Sequence, residues 1–327
     1  MKISSIGIGF ICIASLCGQA AAGETYYDTG ARALPLQQAG GTARAAAMGA
    51  AVVAVSQGAA SLLWNPAGLS RMKCSEISFH HNKGLAETNQ ETAIYGMPLG
   101  EVKENGKGGG SMGGLAASLG YVDHGTFDGR DVLDQPTENY HAGDFSGSVG
   151  WGMELFPSFS GGIVLKGNQS RFGHKSYNAF TTDIGFLYTL IPGLDLGLAY
   201  SNVNLGNKIG GSQLASGWRL GAGWTVSRHV LLAASSELQN QAMTRLQLGA
   251  EYLIGNTEGK INVLALRSGY QLNYPDPKLA GLVGLTLGMG YTLTRTVALD
   301  YAMVPAGELG TSHRFSLTYK FGCPEKL

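Results

Sequence analysis

Charge is what this sequence has least of for its length. Only 14% of its 327 residues are Asp, Glu, Lys or Arg, and 23 basic residues balance 23 acidic ones. A soluble domain of this size carries more surface charge. A neutral chain also gives no electrostatic reason to expect a nucleic-acid partner. Beyond the N-terminus no run is long and apolar enough for a membrane-spanning helix. There is no His-Glu-x-x-His and no phosphate-binding loop. His80, His81, His124, His141, His174, His229 and His313 show no ligand-like spacing with the four cysteines, so no metal or cofactor is expected. No catalytic residue is assigned. His124 with Asp123, Asp128 or Asp131 could mimic the rim-facing pair of a barrel enzyme, but a polar loop is the simpler reading.

What is present begins with Lys2 and an apolar run over residues 6–16, then small residues at 20–22. That is the shape of a secretory signal, with the cut expected after Ala22. A retained anchor or a lipoprotein start at Cys17 is the alternative. Leu16 is too large for the position before a lipidated cysteine. The 50 glycines follow no collagen period.

From about residue 74 the chain alternates with a period of two. Val149, Trp151, Met153 and Leu155 are set against Ser148, Gly150, Gly152 and Glu154. Leu194, Leu196, Leu198 and Tyr200 oppose Asp195, Gly197 and Ser201. Trp218, Leu220, Trp224 and Val226 oppose Arg219, Gly221, Gly223 and Thr225. One face suits lipid, and the other suits a confined interior of glycine, serine, threonine and single charges. Fourteen segments are expected at 74–82, 89–99, 110–122, 144–156, 158–167, 178–190, 194–203, 215–226, 228–239, 244–254, 259–270, 281–292, 295–304 and 312–322. In 259–270, Arg267 shares parity with Ile261 and Val263, which predicts a bulge or an end position there. Links after even strands are mostly tight (156–158, 190–193, 226–228, 291–295). Links after odd strands are mostly longer (122–143, 167–177, 203–214, 270–280, 304–311). Short periplasmic turns and long outer loops give that asymmetry. The class is therefore an all-β transmembrane antiparallel barrel in the bacterial outer membrane, of about fourteen strands, over residues 74–322. Both termini are expected in the periplasm and a short tail at 323–327. Its partners are outer-membrane lipid and the barrel-assembly machinery. Phe321 is the terminal aromatic, though six residues follow it.

Asp183, Asp195, Arg219, Glu251, Asp300 and Arg314 are the expected lumen charges, with Glu237 and Lys320 beside them. Both signs occur, so salt-linked pairs are expected and not an ion-selective ring. With the signal removed only Cys74 and Cys323 remain. Cys74 begins the first strand and Cys323 follows the last, which are neighbours in a closed antiparallel barrel. A seam disulfide is predicted, and two unrelated thiols are the alternative.

Residues 23–73 do not alternate. Their small residues and buried-type Leu62, Leu63, Trp64 and Leu69 predict a plug inside the barrel, and a disordered leader is the alternative. Asn65-Pro66 starts a turn. The stretch GTARAAAMGAAVVAVSQGAASLLWNPAGLS at 41–70 resembles the N-terminal signature of the PorV/PorQ outer-membrane proteins. That group is similar to the wider FadL-like barrels of the OmpP1/FadL/TodX type. The tail is similar too, in Leu299-Asp300-Tyr301-Ala302 and in residues 310–322. The resemblance implies a fourteen-stranded barrel with an N-terminal plug. It carries over to Gly49, Trp64, Asn65, Pro66, Ala67 and Gly68 alone. Its FadL-like branch implies passage of small hydrophobic, fatty-acid-like compounds. Its PorV branch implies type IX secretion and surface attachment of cargo proteins. A general porin is the third expectation.

Overall fold

The computed structural model describes residues 41–85, 88–102, 109–203, 208–209, 212–239, 245–257, 261–272 and 282–324. The expected signal, its cut after Ala22, residues 23–40 and the last three tail residues lie outside the described residues.

Fourteen strands close into one antiparallel barrel: β1 (Ser75–Lys83), β2 (Asn89–Pro98), β3 (Gly114–Phe127), β4 (Tyr140–Phe156), β5 (Phe159–Phe172), β6 (Lys175–Ile191), β7 (Leu194–Val203), β10 (Gly217–Thr225), β11 (Val230–Gln239), β12 (Arg245–Asn256), β13 (Ile261–Leu272), β14 (Leu285–Thr292), β15 (Val297–Pro305) and β16 (Thr311–Phe321). A separate two-stranded hairpin, β8 (Lys208–Ile209) and β9 (Ser212–Gln213), lies between β7 and β10. Each barrel strand pairs with its neighbour in sequence, and β1 closes the ring on β16 from Ser75↔Phe321 to Lys83↔His313. Closure matters because hydrocarbon supplies no partner for an edge strand. The rim holding the chain ends of the barrel is called proximal here, and the opposite rim distal.

Period-two alternation sorts the side chains. Leu119, Val149, Trp151, Leu165, Trp218, Leu220, Leu299 and Leu317 are exposed on the outside. Inward positions are small or polar and buried. Aromatic pairs mark the rims. At the proximal rim Phe321 stacks with Tyr319 and Tyr95, and Phe159 stacks with Phe156 and Phe186. Phe127 stacks on Tyr140 at the distal rim (5.4 Å). The wall is uneven. β4 and β6 have 17 residues each, and β14 has 8. About 9–11 residues cross a bilayer, so the β3–β6 side extends beyond the hydrocarbon.

Two expectations change. The long link at 167–177 shrinks to Gly173-His174, because β5 and β6 stay paired out to Phe172↔Lys175. Asn168, Gln169, Ser170 and Arg171 are polar on both faces, so alternation does not reveal them as strand. β3 and β4 likewise run on to Phe127↔Tyr140. The irregularity expected at Arg267 lies instead at the start of β13, where the register shifts between Ile254 and Asn256 and Asn262 has φ 53°. Arg267 itself is in regular register with Glu251 and Gly288. Val263 and Ala265 point inward with it and line a cavity in the lumen.

Cys74 and Cys323 are joined by a disulfide across the β1–β16 seam, with Cα atoms 4.5 Å apart. For so long a loop, chain-entropy arithmetic gives an upper-end stabilisation of about 5 kcal/mol. Non-reducing peptide mapping of protein from unreduced membranes should find the two cysteines linked, and finding both thiols free refutes the seam bond. Leu220→Arg, on the outward face midway along β10, should cost roughly 2–4 kcal/mol of stability in lipid vesicles. Folding in urea equal to that of the parent would show that this face does not meet hydrocarbon.

Candidate functional site

Residues 41–72 lie inside the barrel as a plug. It has one short helix, α1 (Ala43–Ala47), and two 3-10 turns, η1 (Ala59–Leu63) and η2 (Pro66–Arg71). Thr42 caps α1, its side chain accepting from Ala45 N–H. No long helix forms, because Gly49 and Gly58 take positive φ and the run between them turns back on itself. Such a segment cannot satisfy its own main chain, so it must lean on the wall.

The inward glycines of the wall let it do so. A Cβ added at Gly269 would stand 2.1 Å from Gly49 N, and one at Gly162 would stand 2.4 Å from Pro66 C. Gly197 meets Val53 O in the same way, and Gly185 leaves room for the Asn65 side chain. Gly49 is the plug's own version: a Cβ there would lie 2.8 Å from Leu248 O and Tyr270 N of the wall. Main chain therefore rests directly on main chain at β3, β4, β5, β7, β12 and β13. Apolar contacts fill the remainder. Leu62, Leu69 and Met72 pack with Ile94, Ala116 and Val164 of the wall, and Ala43, Ala46 and Ala47 pack with Ala302 and Val304.

Asn65 has the most demanding position in the plug. Its Oδ1 accepts from Ala67 N–H, capping η2, and its Nδ2 donates to Val53 O and to Phe186 O of β6, both at 3.0 Å. Pro66 supplies the fixed φ that starts η2, and Ala67 and Gly68 are fully buried. A Cβ on Gly68 would run into Ser61 Oγ at 2.5 Å. These signature residues thus fold the plug and fasten it to the wall.

Charges complete the fastening. Arg44 makes a two-point contact with Glu251 of β12 (3.0 and 3.1 Å). Glu251 also receives Arg267 (2.6 Å), which reaches on to Asp300 (2.6 Å). Burial works against the charge of Arg44, and Glu251 and Asp300 together more than offset it, so the Arg44 pKa is raised. Arg71 grips Asp195 of β7 through both guanidinium nitrogens (2.8 and 2.9 Å). At the seam, Ala59 N–H donates to Glu76, and Ala43 N–H donates to Ser316 Oγ (2.9 Å). His80 bridges Ser316 and Ser78.

All six expected lumen charges lie on the inner face. Arg219 pairs with Glu237 (3.1 Å), and Asp183 pairs with Lys166. Arg314 lines a distal cavity, and Lys320 sits at the proximal mouth 3.8 Å from Glu76. Arg44, Arg71, Glu76 and His80 were not singled out from sequence. A signal existed for two of them: Arg44 and Arg71 are the sole charges in the otherwise uncharged stretch 41–72, so each needed a carboxylate in the wall. His124 does not face Asp123, Asp128 or Asp131 as a rim pair. It bonds Asp144 of β4 (2.9 Å), which is buried and held by Ser170. The Gly-x-Ser-x-Gly spacing at Gly109, Ser111 and Gly113 belongs to a turn seated on the plug, Gly109 N–H donating to Ser70 O (3.1 Å), and not to a strand-to-helix elbow.

Among the described residues, the seated plug is flanked by two lumen cavities. The proximal one, about 570 Å³, reaches the turn residues Arg228, Thr257 and Thr294. The distal one, about 320 Å³, reaches Leu85, Thr88 and Ser312. A larger hollow of about 640 Å³ is lined mainly by outward side chains such as Phe79, Leu119, Phe315 and Leu317. It is a groove in the lipid-facing wall and not part of the lumen.

Gly269→Val would force a side chain into Gly49. It should cost roughly 1–3 kcal/mol as overpacking and unseat the plug. The readout is faster proteolysis in 41–72 with the barrel still folded, and parental protease resistance would refute the contact. Glu251→Ala strands Arg44 in the lumen and leaves Arg267 on Asp300 alone. It should cost roughly 3 kcal/mol, the low end for breaking a buried pair because Arg44 keeps some solvent contact. Restored stability in Arg44→Met/Glu251→Ala would identify Arg44 as the group left uncompensated, and no recovery would assign the loss to Arg267.

No protein-family model matches this chain, and no curated protein sequence does. Solved structures do. The Pseudomonas putida toluene transporter TodX matches with a TM-score of 0.58 at 12% identity, over 84% of this chain and 96% of that one. The monoaromatic hydrocarbon channel CymD gives 0.51 at 13% identity, over 82% and 94%. A Pseudomonas aeruginosa FadL homologue gives 0.51 at 10% identity, over 86% and 98%. The PorV/PorQ resemblance of residues 41–70 rests on the sequence alone. At these identities what is shared is the architecture: this chain has the closed antiparallel β-barrel fold seen in TodX, CymD and that FadL homologue.

Proposed function

We propose that this protein passes small hydrophobic compounds across the outer membrane, with the plug closing the lumen at rest. The observation that carries the reading is the seated plug. Among the described residues it separates two lumen cavities, each large enough for a small organic molecule. Apolar plug surface and mobile-length polar side chains line both, which suits a solute that sheds water on entry. The fold shared with a toluene transporter, a monoaromatic hydrocarbon channel and a FadL homologue supports the same reading. A general porin needs an open polar lumen, which the seated plug does not leave. Nothing in the described residues is particular to a surface-attachment role.

In this reading the proximal rim with both chain ends faces the periplasm and the distal rim faces outward. Phe321, ending β16 with its ring outward, is the aromatic read by the assembly machinery. Antibody should reach a tag at Asp131 on intact cells, and a tag at Pro192 only after the outer membrane is opened. Reversed labelling would invert the orientation.

Purified protein in liposomes should speed entry of toluene or a long-chain fatty acid above empty liposomes. No acceleration across a panel of such solutes would refute the passage role.

A further inference from the structure

Trp64 is the one residue, among those described, that lines both lumen cavities. On the proximal side it adjoins Arg44, Ala45 and Ala60, and on the distal side Ala46, Ala50 and Arg219. The backbone of α1 divides Ala45 from Ala46, so the barrier there is a single small-residue helical turn with the indole beside it. The indole is only 8% exposed, and its Nε1 makes no hydrogen bond within the described protein. Arg219 sits over the ring at 5.4 Å and is itself pinned by Glu237. A cation over an aromatic face holds the ring in place without blocking its withdrawal. Its neighbours Ala45, Val52 and Ala233 are small or stiff apolar groups that give it no polar tether.

We propose that Trp64 is the septum of the passage, the side chain whose displacement joins the proximal and distal cavities. It rests on the passage reading above and names the residue that gates it. Passage through the plug then needs one aromatic side chain to move, while the glycine contacts and the Arg44 and Arg71 clamps stay in place.

Charge marks any leak that runs through the two cavities. The proximal cavity is lined by Arg44, Arg228, Arg267, Arg295 and Lys320 against Glu76, Glu251 and Asp300. The distal cavity has Arg219, Arg245 and Arg314 against Glu237. Among the described side chains both linings are basic on balance, although the whole chain is neutral. A path that joins the two cavities, whichever part of the plug it crosses, should therefore prefer anions.

The test uses the full-length protein in planar bilayers. Trp64→Ala should raise ionic conductance about tenfold or more over the parent, as expected when an apolar constriction is removed. In a KCl gradient its reversal potential should show anion preference. Trp64→Phe, which keeps an aromatic plate, should stay near the parent. A folded Trp64→Ala barrel that remains silent overturns the proposal, as does a cation-selective leak or a Trp64→Phe variant equally leaky. A measurement that leaves Trp64 intact guards against misfolding. Replacing the outward-facing Trp151, Trp218 and Trp224 with Phe leaves Trp64 as the sole tryptophan. Iodide added to either side of vesicles should then quench its fluorescence, and caesium much less. Quenching from one side alone, or from neither, overturns the proposal. None of these readouts involves a hydrophobic solute. Failure of toluene and fatty-acid entry would therefore remove the passage role and leave the septum standing.

Discussion

Hydrocarbon offers no partner to a main-chain N–H or C=O, so a strand crossing it must be paired along both edges. In this chain the requirement is met by a ring in which β1 returns to β16. Once the ring exists, every wall residue has one of two addresses, and the addresses alternate. The outer one is filled by large apolar side chains, because lipid accepts them without cost. The inner one is left with whatever the closed interior can accommodate.

What the interior accommodates here is a second main chain. The plug is too short and too rich in small residues to fold alone. The wall is too narrow to receive it if both carried ordinary side chains. Removing Cβ atoms from the inner face solves both problems, since the plug gains partners and the wall gains contents. Charge pairs such as Arg44–Glu251 and Arg71–Asp195 then fix which part of the plug meets which strand. A glycine-lined groove by itself tolerates sliding.

The barrel was legible in the sequence because the outward face is uniform: Leu, Val, Trp, Phe and Tyr recur at every second place from one strand to the next. Paired stretches above the membrane were not, since Asn168 to Arg171 meet water on one side and a polar lumen on the other and leave no contrast to read. Arg267 misled for the opposite reason. Its same-face neighbours Val263 and Ala265 are apolar although they line the proximal cavity, so the inner face is not uniformly polar. The plug's position could be argued from Trp64, Leu62 and Leu69, which need burial. Its contacts could not, because a glycine that receives another backbone looks in sequence like any other glycine. The cavities and the indole between them arise from how residues far apart in the chain come together, and no local pattern encodes that.

The seam disulfide has a consequence for the connectivity of the molecule as a whole. Joining Cys74 to Cys323, 249 positions apart, turns the barrel strands into a covalent macrocycle, with the plug as an exocyclic arm attached at the same sulfur bridge. Tension applied to the arm is delivered to that junction and shared with the far end of the ring, and does not peel β1 from its neighbours. The plug can therefore be pulled, shifted or rebuilt as a pendant group while the macrocycle keeps its circumference.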